Sequence, residues 1–235
     1  MGLYTYRFAH QLNAIGSGRS ELSLIADRVG LDKHNLVREK VETLEGLGWV
    51  ERSRNFGAGP TSAWRYRIAD PALRFYYTFV TKYHTALGRE PALDIWKNQI
   101  EAEIDAYMGH IFERIVQEAY VRISDEPAQE WSRWEGKDRE RQSVEIDIVS
   151  RLLNGKMLTG AIKWNARPVG LELHKKHMDQ LNRLAASGQG WAREALEPDA
   201  RLIYVASGGF KKNFVKAVEE GLVPAKLWTL EDLYS

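Results

Sequence analysis

The chain has 235 residues, 44% hydrophobic and 28% charged, a composition that is typical of globular proteins and excludes disordered, collagen-like and low-complexity classes. Its formal net charge is +1, so any attraction to nucleic acid must be local, and nothing points to a membrane partner. Because cysteine is absent, disulfides, thiolate metal sites and cysteine nucleophiles are excluded. Since no apolar run approaches the roughly 18–20 residues of a spanning helix and no export signal is evident, we expect a cytoplasmic protein.

Three helices are predicted in the first 50 residues, because apolar side chains recur there at helical spacing. The first helix should end at Gly16-Ser17-Gly18, since glycine favours a turn. Ser20 is the candidate cap of the second helix. Asp32 is the candidate cap of the third, which should run from about Lys33 to Leu47.

A hairpin is predicted next. Period-two alternation over Trp49–Arg54 and Ala63–Ile68 indicates two strands around a turn that contains glycine and proline. Three helices followed by a two-stranded wing are typical of a winged helix-turn-helix, which we assign to residues 1–70. In this module the arginines of the second strand should face solvent.

Basic and amide side chains make this module a candidate for DNA contact, through the first turns of the third helix and through the wing. The candidate nucleic-acid-binding residues are Asn35, Arg38, Arg52, Arg54, Arg65 and Arg67. Glu39, Glu42 and Glu45 on the third helix would repel phosphates. Docking to a protein is therefore the alternative role of this module.

The rest of the chain is predicted to be a linking helix and an α/β layered domain. Asp70-Pro71 should start a helix that ends near Ala86, and we assign the linker to residues 71–96. Residues 97–235 should form the second domain, with an αβββαβ core. Its predicted elements are a helix from Ile100 to Ile123 interrupted at Gly109, strands near Gln129–Trp134, Ser143–Leu153 and Lys156–Trp164, a helix over Val169–Ala186 and a strand over Ala200–Ala206. The fold class is α+β.

Two carboxylates in this domain could carry chemistry. Glu145 and Asp147 are two residues apart on a predicted strand and should project from the same face, where like charges repel unless a cation neutralises them. The Asn154-Gly155 turn should bring Lys163 of the next strand within reach. Carboxylates beside a lysine can hold Mg²⁺ and orient a water for attack on a phosphodiester, so Asp147 and Glu145 are the candidate metal ligands.

Two histidines lie near the middle of a predicted helix. His174 and His177 are three residues apart, which would suit a shared metal ion. However, His174 falls on the apolar stripe of its helix. We therefore predict a packed or hydrogen-bonded core histidine instead of a zinc ligand.

The segment Glu145-Ile146-Asp147-Ile148-Val149, followed by Gly160-x-x-Lys163-Trp164, resembles the C-terminal domain of a family of archaeal and bacterial P-loop ATPases. That domain is similar in fold to the PD-(D/E)xK restriction-endonuclease superfamily. Two further segments resemble the same family: Tyr66 to Phe75 its link from a winged helix, and Gly109 to Glu113 its first-helix motif. The resemblance implies a Mg²⁺-dependent nuclease site in which Asp147, Lys163, Glu113 and Glu145 are the candidate catalytic residues, and a P-loop ATPase domain or partner.

Two departures from that family pattern shape the functional hypothesis. Ala161 stands where the family has a glutamate, and a methyl group cannot coordinate a metal. The chain also lacks a phosphate loop, so it is either a free-standing relative or part of a longer ATPase. We therefore predict a nucleic-acid-binding or ATPase-associated regulatory protein with a degenerate, inactive nuclease-like domain.

Two alternatives stay open. The first is a divalent-metal DNA endonuclease in which Glu145 is a relocated carboxylate. The second is a protein-docking module of a P-loop ATPase. The nucleic-acid target, the base preference and the oligomeric state are not determined by the sequence.

Overall fold

The computed structural model describes residues 2–30 and 34–235. The chain divides into two compact units. One unit comprises residues 2–30, 34–54 and 59–104, and the other comprises residues 55–58 and 105–235. The assignment of three domains with boundaries near residues 70 and 96 stays a prediction.

The first unit contains helices and one two-stranded antiparallel sheet. Its elements are α1 (Gly2–Gly16), α2 (Leu22–Val29), α3 (His34–Gly46), β1 (Val50–Ser53), β2 (Arg65–Ile68), α4 (Pro71–Phe75), α5 (His84–Leu87), α6 (Ala92–Ile95) and two π-helical turns, Tyr76–Val80 and Trp96–Ile100. One apolar core joins α1, α2, α3 and the hairpin through Leu12, Ile25, Val41, Leu44 and Ile68. The predicted order of three helices and a hairpin is therefore present.

Helix starts in this unit differ from the sequence prediction. The residue before α2 is Glu21, whose side chain makes no capping hydrogen bond, so the prediction of a Ser20 cap is wrong. Asp32 lies outside the described residues. Asp70 does cap α4, since its carboxylate accepts a hydrogen bond from the Leu73 amide at 2.7 Å. The helix that starts there is not continuous to Ala86, because a π-helical turn follows Phe75.

The second unit is a mixed α+β fold around a five-stranded sheet. Its elements are α7 (Glu101–Ile123, whose first turn belongs to the first unit), β3 (Ala128–Lys137), β4 (Ser143–Leu152), β5 (Met157–Lys163), α8 (Glu172–Ala186), α9 (Gly190–Glu194), β6 (Arg201–Ala206), α10 (Lys212–Glu219), β7 (Ala225–Trp228) and a 3-10 turn, Asp232–Tyr234. The spatial order of the strands is β3-β4-β5-β6-β7. The pairs β3–β4 and β4–β5 are antiparallel, while β5–β6 and β6–β7 are parallel.

Helices cover both faces of this sheet. On one face Phe112 and Val116 of α7 pack on Ile148, Ile162 and Ile203. The other face is covered by α8, α9 and α10. That second layer of the core includes Ile146, Val149 and Leu181, and beside them Ala161, Tyr204 and Phe214. Burial on both faces explains why the strands read as nearly continuous apolar runs.

Two glycines behave differently from each other. Gly155 has a φ of +85° in the turn between β4 and β5, a conformation that favours glycine, so the predicted Asn-Gly turn is confirmed. Gly109 lies inside α7, which continues without a break, so the predicted interruption there is wrong. Packing of α7 on the sheet outweighs the cost of about 1 kcal/mol for one helical glycine.

Residues 55–58 complete the exposed edge of β3. The Phe56 amide donates to the Arg133 carbonyl oxygen at 2.9 Å, and the Asn55 side-chain amide donates to the Glu135 carbonyl oxygen at 2.7 Å. The Phe56 ring is buried and meets Trp191 edge-on. This short segment therefore satisfies edge hydrogen bonds and adds an aromatic ring to the core of the second unit.

Among the described helices, none has both the length and the apolar character needed to cross a bilayer.

Candidate functional site

Asp147 and Lys163 come together on neighbouring strands. The β4–β5 register pairs Ile148 with Gly160, which places Asp147 beside Ala161 and close to Lys163. One carboxylate oxygen of Asp147, Oδ2, accepts a hydrogen bond from Lys163 Nζ at 2.9 Å and another from the Ile162 amide at 2.8 Å. The Asp147 side chain is 10% exposed and that of Lys163 is 40% exposed. The carboxylate is therefore held by partners within the protein.

A small cavity of about 80 Å³ lies beside this pair. It is bordered by β4, β5 and α8, and its lining residues are Glu145, Asp147, Gly160, Ala161, Lys163, Leu173, Lys176, His177 and Gln180. Ala161 is almost fully buried, and at its position the wall of the cavity consists of a methyl group. The cavity is far smaller than the roughly 300–1,000 Å³ of pockets that enclose whole small molecules.

The Glu145 carboxylate does not join that of Asp147. Glu145 Oε1 lies 2.6 Å from Nη2 of Arg133 on β3. The β3–β4 register shifts between Ser132 and Trp134, where three steps along β4 oppose two along β3, so a bulge falls at Asp147 and Ile148. Both residues border the cavity, but their carboxylates are paired with different cations, Arg133 and Lys163. The side-by-side placement of the two acids stays a prediction.

Arg133 is the centre of an acidic cluster. Its guanidinium lies 2.6 Å from Glu145, 3.0 Å from Glu135 and 3.9 Å from Glu113, which are carried by β4, β3 and α7. Glu113 is also 3.7 Å from His110. The single positive charge of Arg133 thus attracts three carboxylates that would otherwise repel each other, and it offsets one of their three negative charges.

Mg²⁺ is the metal that the nuclease resemblance implies, and the donor set does not fit it. Mg²⁺ demands an octahedral shell of oxygen ligands at about 2.0–2.1 Å. Here Ala161 offers a methyl group, one Asp147 oxygen already accepts two hydrogen bonds, and Glu145 is paired with Arg133. Within residues 2–30 and 34–235, histidine and carboxylate side chains form no group of three that could hold a metal ion. We derive no metal-dependent step from this site.

His177 borders this cavity, whereas the sequence had suggested it only as a partner of His174 for a metal ion. It is 2% exposed, and its Nε2 lies 3.0 Å from Thr159 Oγ1 on β5. Burial, with smaller contributions from the charges of His174 and Lys163, lowers the pKa of His177 to about 3, so its imidazole is neutral at pH 7. Its three-residue spacing from His174 was visible, but the more deeply buried of the two could be identified only from the sheet beneath them.

His174 is hydrogen-bonded, as predicted. Its Nδ1 lies 2.9 Å from the hydroxyl of Tyr204, and burial lowers the pKa of His174 and raises that of Tyr204. The two histidine rings meet the Tyr204 ring edge-on, with centroids 5.9 and 5.6 Å away. This network is a packing feature beneath α8.

The arginines of the hairpin surround an aromatic ring. The guanidinium carbons of Arg52 and Arg54 lie 4.6 and 4.5 Å from the ring centre of Trp64, distances that suit cation–π contacts. Arg52 also pairs with Glu45 of α3 at 3.0 Å. Trp64 was not among the residues predicted to bind nucleic acid, although its place directly before β2 beside arginines was a signal.

Acidic partners offset part of the hairpin's positive charge. Arg67 lies 2.7 Å from Glu51, its partner across the two strands, and both are partly exposed. Arg65 is half-buried on the same face of β2 as Arg67, opposite Tyr66 and Ile68, as the alternation predicts.

On α3, Asn35 and Arg38 are exposed. Arg38 and Trp64 border a cavity of about 430 Å³, which is also lined by Glu21, Leu22, Ser23, Glu42, Arg52, Thr61, Ser62, Ala63 and Tyr66. The structure thus brings three of the six predicted nucleic-acid-binding residues, Arg38, Arg52 and Arg54, around Trp64.

Comparisons with known proteins give a partial match. A family model, DUF234, described as archaeal and bacterial proteins of unknown function, matches residues 76–180. No curated protein matches the chain.

Among solved structures, the chain is similar to a repair endonuclease from Pyrococcus abyssi, with 14% identity, a TM-score of 0.31, and coverage of 57% of this chain and 47% of that one. It is also similar to EndoMS in a complex with double-stranded DNA, with 14% identity, a TM-score of 0.29, and coverage of 50% and 44%. The matched part is less than half the length of either protein.

Proposed function

We propose that this chain binds nucleic acid and does not hydrolyse it. The observation that carries the proposal is the state of Asp147, whose carboxylate is held by Lys163 and by the Ile162 amide beside the methyl group of Ala161. A metal-dependent hydrolytic site needs several oxygen ligands. Here Ala161 contributes none, and Glu145 is paired with Arg133, so the ligand set around Asp147 is incomplete.

The arginine cluster around Trp64 supports the choice of ligand. Arginine guanidinium groups contact phosphates, and the Trp64 ring holds two of them close together by cation–π contact. Arg38 lies at the same cavity, which suits a winged helix-turn-helix that uses its third helix and its hairpin together. In this proposal the first unit is the nucleic-acid-binding module and the second is a degenerate restriction-endonuclease-like domain. Association with a P-loop ATPase is a further part of the hypothesis that rests on the sequence resemblance.

A binding experiment tests this proposal. A fluorescent 20-base-pair duplex is titrated with the full chain at 50 and 200 mM KCl, with and without MgCl₂, and the DNA is then resolved on a denaturing gel. We expect a complex whose affinity falls steeply with salt, because each neutralised phosphate adds about 0.9 to the slope of log affinity against log salt. We expect uncut DNA in every lane.

Matched variants locate the binding surface. Arg38→Gln should weaken binding several-fold, whereas Arg89→Gln, at an exposed position outside the Trp64 cavity, should not. Cut products that disappear in Asp147→Ala would overturn the non-hydrolytic assignment and favour the endonuclease alternative. A chain that forms no salt-sensitive complex with DNA would overturn nucleic-acid binding and leave protein docking as the function to pursue.

A further inference from the structure

A groove made of two adjoining cavities lies along α1 in the first unit. Their volumes are about 550 and 600 Å³, within the roughly 300–1,000 Å³ of pockets that bind small molecules. Both cavities are lined by Asn13, Tyr77 and Thr81, so they meet at these residues. On α1 the lining runs from Ala9 to Gly16, a length of about 10 Å at a helical rise of about 1.5 Å per residue. The groove is therefore long enough for a ligand with two separate parts.

An aromatic wall borders the first cavity. It contains Leu73, Tyr76 and Tyr77, and the two tyrosine rings are nearly perpendicular with centroids 5.2 Å apart. Tyr76 is 44% exposed, so part of its ring is open to a ligand. Both tyrosines belong to the π-helical turn Tyr76–Val80, and such turns are rare and frequently found at functional sites. This wall fits a planar aromatic ring.

Two polar groups at the groove have unused hydrogen-bonding capacity. Neither the Asn13 side-chain amide nor the Tyr77 hydroxyl has a hydrogen-bond partner among the described residues. An amide offers two N–H donors and an acceptor oxygen, and a hydroxyl can donate and accept. A heterocycle with ring nitrogens and amino or carbonyl groups can satisfy them, whereas a plain hydrocarbon ring would leave them unpaired at a cost. The polar groups therefore favour a nucleobase over a purely apolar ring.

The second cavity carries an excess of one positive charge among its lining residues. Lys82 Nζ lies 2.7 Å from Glu103 Oε1, so these two opposite charges offset each other. Arg28 also lines the cavity, is exposed, and has no ion-pair partner among the described residues. A guanidinium group matches the geometry of a phosphate and can bind it through two parallel hydrogen bonds. This end of the groove fits an anion.

We propose that the groove binds a nucleoside monophosphate. The base lies against Tyr76 and bonds to Asn13, and the phosphate binds Arg28. The sugar accounts for the separation between the aromatic wall and the cation, a distance that an acid with a single ring does not span. This inference goes beyond the proposed function, because the groove shares no lining residue with the Trp64 cavity and does not require DNA binding.

Calorimetric titrations of the full chain with adenosine monophosphate, adenosine and inorganic phosphate test the phosphate end. The monophosphate should bind about tenfold more tightly than adenosine, because it adds a charge-assisted hydrogen bond to arginine. In Arg28→Gln the two compounds should bind with equal affinity. Arg89→Gln, at an exposed position outside both cavities, should keep the wild-type difference.

Variants of Tyr76 test the base end with the same titrations. Tyr76→Leu should weaken the binding of both adenosine monophosphate and adenosine about tenfold, because it removes the ring against which the base lies. Tyr76→Phe retains the ring and should keep the wild-type affinities. Since Arg28 and Tyr76 are exposed, circular dichroism should show the same fold for all variants.

Three outcomes would overturn the nucleotide site. The first is a wild-type chain that does not bind adenosine monophosphate. The second is equal affinity for this compound in Arg28→Gln, Tyr76→Leu and Arg89→Gln. The third is tighter binding of salicylate, an acid with a single ring, than of the monophosphate. Each of these results leaves nucleic-acid binding intact, because that function is measured separately with the duplex.

Discussion

Mild acid should destabilise the second unit through His177. The imidazole is buried against Thr159, and burial lowers its pKa to about 3. An unfolded histidine titrates near pKa 6.5, so below that pH unfolding takes up a proton that the folded state does not bind. The stability that the neutral histidine contributes is fully present above pH 6.5 and is lost as pH falls toward the folded pKa.

The size of the effect follows from the linkage between protonation and folding. Each pH unit inside this window lowers the free energy of unfolding by about 1.4 kcal/mol for one histidine. Acidification from pH 7 to pH 5 should therefore cost about 2 kcal/mol. Most carboxylates titrate below this interval, so their contribution stays small there.

Urea unfolding at pH 7 and pH 5 measures this cost, with the wild type compared with His177→Gln and with His110→Gln as the matched control. Tryptophan fluorescence reports mainly on the second unit, which contains Trp131, Trp134, Trp164, Trp191 and Trp228. His177→Gln should lose about 2 kcal/mol less than the wild type between the two pH values, because glutamine does not titrate. His110 has a side chain that is 52% exposed, so its variant should behave like the wild type. An equal loss in His177→Gln and in the wild type would refute the reasoning.

Two further substitutions test the packing of the second unit. In urea, Phe56→Ala should lower the free energy of unfolding of the second unit by about 3–5 kcal/mol, because the buried Phe56 ring meets Trp191. Leu222→Ala, at a position that is 73% exposed, should change it little. Similar unfolding midpoints for the two variants would contradict the assignment of residues 55–58 to this core. Gly160→Ala should destabilise the second unit severely, because the new Cβ would collide with the Ile203 carbonyl oxygen of β6. In Gly109→Ala the new Cβ meets nothing within 4 Å, so this substitution should raise the stability of α7 by up to about 1 kcal/mol. A thermal melt in which both alanines are tolerated would argue against the β5–β6 packing.

Local patterns in the sequence were enough to predict most elements of both units. Apolar spacing predicted α1, α2, α3 and α8, because a helix that packs on a core must bury one stripe. Alternation predicted β1 and β2, and the Asn154-Gly155 pair predicted the turn before β5, since few residues other than glycine adopt a positive φ. The pairing of the two strands around that turn also predicted that Lys163 would lie within reach of Asp147, and Lys163 Nζ is 2.9 Å from Asp147 Oδ2.

Contacts between residues distant in sequence decided the rest. Nothing local to Glu145 indicates that Arg133 on another strand pairs with its carboxylate, or that a bulge in β4 falls at Asp147 and Ile148. The burial of His177 depends on Thr159 beneath α8, and the core position of Phe56 depends on Trp191. The sequence by itself determined which segments become helices and strands, because that choice follows from spacing and turn chemistry within a few residues. Apart from the Asp147–Lys163 pair across a predicted hairpin, only the tertiary structure decided which charges are paired, because the partner of a side chain is set by the register and packing of elements far along the chain.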